Sequence, residues 1–346
     1  MKILKTKNLA LILALSTAFI ACDDDDNSTN PVDPSVTEET VTIPETITIS
    51  ETNLFPEGID YNNNDNQFYI SSIRRGEVGV VNPQTGEYST FVTDPSLINA
   101  TGVLIDEASD RLFAVSGNAG LSGVTDPAVG SVAYLGVYNL GTGDLIEGID
   151  LGSLNTGSLG VFANDIALDA DGNIYVTDSF SPFVYKVDGT TFEASIFVDG
   201  GDDFTPPEGG FGLNGIVYID GNLVVGHTSS GILYRIPLED PTAFAAIDIE
   251  DNFERVDGLE VDTNGEIIVV RNGFAGEASG FYSIASTDDW VSATTTSVDL
   301  LDAMSFPTTA ALAADGEIYA VNSYFTVLFD EDDTNDDQDT ISILRT

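Results

Sequence analysis

The chain has 346 residues, 42% of them hydrophobic, and 57 acidic against 11 basic residues give it a net charge of −46. The apolar content suffices for one large core. A field of that sign repels phosphate, so nucleic acid and anionic membrane surfaces are excluded as charge-matched partners, while a cationic or metal-bridged partner is compatible.

The first 21 residues read as a targeting segment. Lys2, Lys5 and Lys7 make a basic start, Leu9 to Ala21 is apolar, and the single cysteine, Cys22, follows directly. The apolar run is too short for a transmembrane span. The pattern resembles a bacterial lipoprotein signal. That resemblance implies lipidation of Cys22, a membrane attachment through the lipid anchor, and residence in the cell envelope at the outer membrane. An acylated Cys22 leaves no thiol for a disulfide or a nucleophile. Residues 22–40 follow as an acidic flexible tether, opening on Asp23 to Asp26 and too polar to bury a core. The acidic run beside the cysteine resembles the surface-export tags of some Gram-negative lineages; a plain spacer on a periplasm-facing protein is the alternative.

Residues 41–346 read as all-β. Short apolar strands are joined by turns such as Asp171-Gly172, Asp220-Gly221, Asn264-Gly265 and Asp315-Gly316, which supply the positive φ a hairpin needs. One pattern recurs six times at the start of a strand, with Glu57, Thr101, Asn164, Asn214, Asp257 and Thr308 at the same position. A repeat this long predicts a six-bladed β-propeller with the repeated position facing a central axis. The last repeat ends after a third strand, Thr340 to Arg345, and Val41 to Ser50 has no blade of its own, so the N-terminal strand is expected to complete the closing blade.

Four of the six axial positions, Glu57, Asn164, Asn214 and Asp257, carry two carboxylates and two amides. An all-oxygen set with two negative charges suits a hard divalent cation such as Ca²⁺. Thr101 and Thr308 occupy the other two positions. Loops after each second strand are expected to ring the same mouth. They add Asp178, His227, Asn272 and Asn322 as candidates for a substrate pocket, under the long loops 117–131, 273–280 and 324–339. The run Asp330 to Asp339 reads as a solvated acidic flap, with weak peripheral calcium binding as the alternative.

Glu57-Gly58, Asn164-Asp165, Asn214-Gly215 and Asp257-Gly258, in that order, resemble the metal-binding set of the senescence marker protein/gluconolactonase family and of related calcium-dependent phosphotriesterase-like propellers. The resemblance spans residues 41–346. It implies Glu57, Asn164, Asn214 and Asp257 as ligands of Ca²⁺ or of another divalent ion such as Zn²⁺, Mn²⁺ or Mg²⁺. It also implies Asp257 as the catalytic base; Asp165, adjoining Asn164, is the second candidate. Two departures stand out: Ile59-Asp60-Tyr61 replaces the family's proline and aromatic after Glu-Gly, and the paraoxonase histidine pair has no counterpart, His227 being the only histidine. The implied activity is calcium-dependent hydrolysis of a small-molecule lactone or ester. A non-catalytic, lipid-anchored binding propeller with a structural metal is the alternative; protein partners are not identified by the sequence.

Overall fold

The structure is a computed structural model that describes residues 42–273, 279–301, 306–328 and 340–346. The chain divides into units 1–40 and 41–346, and the second holds all the described elements. It forms six four-stranded antiparallel sheets, the blades of a β-propeller. The innermost strands are Ile59–Asn62, Asn99–Asp106, Ala163–Leu168, Leu213–Ile219, Val256–Val261 and Pro307–Leu312. Each touches the inner strands of the two neighbouring blades, and the circle closes between blades six and one.

Apolar residues on both faces of a blade must be covered by its neighbours, and the core divides accordingly. Six clusters each lie between two adjacent blades. Second strands such as Ile174–Asp178, sandwiched on both faces, are buried at every position. Outer strands such as Leu145–Asp150 face solvent at nearly every residue, which is why their sequence lacks a clean alternation. The predicted hairpin glycines Gly172, Gly221, Gly265 and Gly316 have φ between 77° and 81°.

The closing blade is completed as the sequence predicts. Thr46–Ile49 pairs antiparallel with Ile341–Arg345, from Thr46 opposite Leu344 to Ile49 opposite Ile341. Ile47 and Ile49 point into the core between blades six and one, and Arg345 forms an ion pair with Glu45. The pairing removes the free edge of the third strand. Among the described residues no helix is long and apolar enough to cross a membrane; the one α-helical turn among them, Phe325–Leu328, lies near the mouth of the axial channel.

Candidate metal centre and axial cavity

The repeated motif sits on a β-bulge. In blades two to six the pairing of first and second strands slips between Ala100 and Val103, Ala163 and Ile166, Leu213 and Ile216, Val256 and Leu259, and Pro307 and Ala310. Two residues of the inner strand then oppose one of its partner, which re-aims side chains. The first bulge residue faces one mouth of the channel and the second faces the other. Thr101, Asn164, Asn214 and Asp257 join Glu57 in lining an upper cavity of about 380 Å³. Asp165 and Thr309 line a lower one of about 330 Å³.

Glycine at the second bulge position is a packing requirement rather than a turn signal. A Cβ on Gly58 would lie 2.4 Å from the Thr101 carbonyl oxygen, and one on Gly215 2.3 Å from that of Asp257. Around these glycines the inner strands approach too closely for a side chain, whereas blades three and six carry Asp165 and Thr309 at this position.

Hydroxyl groups just after the second strands, and one on an inner strand, lock the bulges together. Ser179 Oγ donates to the Leu213 carbonyl (2.6 Å) and accepts from Asn164 Nδ2 (2.9 Å). Thr308 Oγ1 donates to the Glu57 carbonyl (2.8 Å), and Thr228 Oγ1 to that of Val256 (2.9 Å). With its amide nitrogen engaged, Asn164 turns its Oδ1 away from Ser179. That atom and Glu57 Oε2 are buried without a hydrogen-bond partner. Asp257 Oδ2 accepts from Asn272 Nδ2 at 2.6 Å.

The electrostatics of this floor are those of a site short of positive charge. Burial first, then the charges of Asp257 and Asp165, hold the Glu57 carboxyl well above its ordinary range. Burial pushes the Asp257 carboxyl up to about 7, against hydrogen bonds from Asn272 and Asn214 that pull it down. A hard cation would reverse both effects and use the two orphaned oxygens, so the residues present fit one. Among the described residues no three His, Cys, Asp or Glu side chains form a metal cluster. The donors here are two carboxylates and two amides.

Of the other candidates, Thr101 and Asn272 line the upper cavity. Asp165 does not, because as the second bulge residue it points to the lower mouth, where its carboxylate accepts from the backbone of Ile166 (2.9 Å) and Ile216 (3.2 Å). Asp178 is buried at the end of its strand, accepting from the backbone N–H of Phe162 and from the hydroxyl of Tyr185. His227 Nδ1 accepts from the Ser230 N–H (3.2 Å), and burial lowers its basicity. Asn322 Oδ1 accepts from the Phe306 N–H (2.8 Å). Thr308 is occupied with Glu57 as described. These four side chains hold the rim together instead of lining the cavity. Residues 274–278 and 329–339, including the acidic run, lie outside the described residues.

Sequence reading alone missed the walls. Phe162, Phe211, Phe306 and Phe325, with Ile73 and Leu121, make the upper part of the cavity apolar, and among the described residues Arg255 is the one basic side chain lining it. A signal was available: Phe55, Phe162, Arg255 and Phe306 each stand two residues before an axial residue. Two of them, Phe55 (φ 43°) and Arg255 (φ 71°), adopt left-handed backbone, which turns the chain into the bulge.

No family model matches the chain. It is 24% identical over 277 residues to the major allergen Mal f 1 of Malassezia furfur, covering 72% of this chain and 77% of the relative. Among solved structures it is similar to the major allergen Mala s 1 of Malassezia sympodialis. The TM-score is 0.67 at 21% identity, over 88% of this chain and 96% of the other. It also resembles the calcium-binding protein regucalcin of Agrobacterium tumefaciens, with a TM-score of 0.57 at 14% identity over 87% and 93% of the two chains. Fold and site thus define a six-bladed propeller with an oxygen-lined axial centre. Its architecture is the one shared by regucalcin, gluconolactonase-like proteins and the luciferin-regenerating enzyme.

Proposed function

We propose that the protein is a metal-dependent hydrolase of the gluconolactonase type, which opens a lactone or cleaves an ester at a Ca²⁺ held by Glu57, Asn164, Asn214 and Asp257. The observation that carries this reading is the pair of buried, unpartnered oxygens, Glu57 Oε2 and Asn164 Oδ1, at the floor of an open cavity of about 380 Å³. A purely structural ion needs no such cavity above it. The bound cation would polarise the substrate carbonyl and stabilise the oxyanion that develops. Asp257 is positioned to take a proton from the attacking water, with Asn272 holding its carboxylate in place. The phenylalanine wall excludes bulk water, which strengthens the electrostatics of the floor.

Calorimetric calcium titration tests the assignment. Wild type is expected to bind one axial ion and Asp257→Asn to lose at least tenfold in affinity; equal affinity in both would remove the ion from this site. Regucalcin's description as calcium-binding supports the choice of ion.

The proposal extends to location. A chain acylated at Cys22 would place this propeller at the outer membrane of the cell envelope, on a tether formed by residues 22–40. Metabolic labelling with a fatty acid is expected to mark wild type and leave Cys22→Ser unlabelled; label retained in the variant would refute the anchor.

A further inference from the structure

The axial cavity does not end at the phenylalanine wall. Beyond it lies a second, apolar groove of about 480 Å³, and Ala119, Leu121 and Phe211 line both spaces. The groove continues over Leu159, Phe180, Pro206 and Pro207. Phe162, Phe180 and Phe211 form one aromatic cluster at the junction, with ring centroids 5.1 Å apart for Phe162 and Phe180 and 5.4 Å for Phe180 and Phe211. Four separate connections build this surface, one within blade two, one from blade two to blade three, one within blade three and one from blade three to blade four. Leu159 remains 46% exposed, more than an isolated core residue would be. Among the described residues the one charged side chain along the groove is Glu208.

Resting on the hydrolase reading above, we infer that this groove is the subsite for an unbranched apolar chain, and that the substrate is a neutral lactone or ester carrying a medium-length alkyl or acyl chain. Continuity argues for one occupant of both spaces: a molecule whose carbonyl lies at Glu57 and Asp257 and whose tail leaves past Phe211. A polyhydroxylated sugar lactone is disfavoured, since its hydroxyls would meet phenylalanine, leucine and proline side chains that offer no hydrogen bonds. A carboxylate at the far end is disfavoured by Glu208 and by the strongly negative chain.

The test measures binding separately from turnover. The full chain carrying Cys22→Ser and Asp257→Asn is loaded with the neutral fluorophore N-phenyl-1-naphthylamine, which is then displaced by γ-butyrolactone, γ-octalactone or γ-dodecalactone. Burial of the added methylenes is expected to make γ-dodecalactone about a hundredfold stronger than γ-butyrolactone as a competitor. Leu159→Asp, a change at an exposed position that the fold tolerates, is expected to reduce that ratio to below about fivefold, and Leu159→Met to retain it. A ratio near one, or one unchanged by Leu159→Asp, would overturn the subsite. Turnover by the Cys22→Ser chain with Asp257 intact is scored separately. Chain-length discrimination without hydrolysis of any lactone or ester would leave the groove standing and sink the hydrolase reading, and hydrolysis without discrimination would do the reverse.

Discussion

Asp257→Asn is expected to lower kcat/KM for a lactone or ester by at least about a thousandfold and not to be rescued by added calcium, whereas Glu57→Gln is expected to regain most of its activity at millimolar calcium. Both residues offer a carboxylate oxygen to the floor of the axial cavity. Only Asp257 is assigned a proton-transfer role in addition to a ligand role. Loss of a general base costs about 10² to 10⁴ in rate, and loss of a charged ligand adds to it. The amide in Asp257→Asn cannot accept the proton, so filling the metal site does not repair the defect. Glu57→Gln keeps an oxygen donor and loses one charge, a deficit of affinity that mass action corrects. The measurement is the calcium dependence of kcat and KM for the two variants, beside thermal melts showing that both fold. Equal rescue of both would reduce Asp257 to a ligand and move the base elsewhere.

The fold was legible because a propeller repeats itself. Six copies of one strand opening, with Asp-Gly and Asn-Gly turns at matching distances, fix the blade count, and the unmatched strand at residues 41–50 fixes the closure. Five axial residues, Glu57, Thr101, Asn164, Asn214 and Asp257, were legible for the same reason, since one repeat position meets one axis. What escaped depends on geometry that the one-letter pattern does not carry. Asp165 follows the axial residue Asn164 in sequence, yet the bulge sends consecutive side chains to opposite mouths. Asp178, His227 and Asn322 stand at the expected ends of second strands. Backbone N–H groups in the adjoining loops claim their polar atoms, a competition visible only once the loops are placed. The phenylalanine wall looked like ordinary core because nothing in composition separates a ring that faces a cavity from one that faces another blade.

The lower mouth supplies the second large expectation. In a calcium-free buffer the protein should be less stable at pH 8 than at pH 5, and Glu260→Gln should raise the melting temperature at pH 8 by about 3 °C while changing it little at pH 5. Asp60 and Glu260 share the lower cavity with Asp165. Burial pushes the Asp60 carboxyl up to about 7, although it accepts from the N–H groups of Ile105 (2.6 Å) and Tyr61 (2.7 Å). Burial, then the charge of Asp60, pushes Glu260 up to about 8. Both folded-state values lie above those of the unfolded chain, so the folded protein holds the extra protons between about pH 4 and pH 8. Stability from these groups is fully present below pH 4 and is lost as pH rises through 7 and 8. Asp94 works in the opposite sense. Hydrogen bonds from Ser96, Tyr138 and Tyr134 outweigh its burial and hold it below its ordinary value, so its contribution disappears as the solution becomes acid. The optimum set by these groups therefore falls at about pH 4. Glu260 Oε1 accepts the Val261 N–H at 2.7 Å, and the amide oxygen of glutamine can accept it equally well, so Glu260→Gln removes the charge and keeps the bond. Both acids are only partly shielded at the mouth, which limits the gain to about 1 to 2 kcal/mol. Melting curves at the two pH values in chelator decide the matter. An equal shift at both would assign the effect to packing and not to charge.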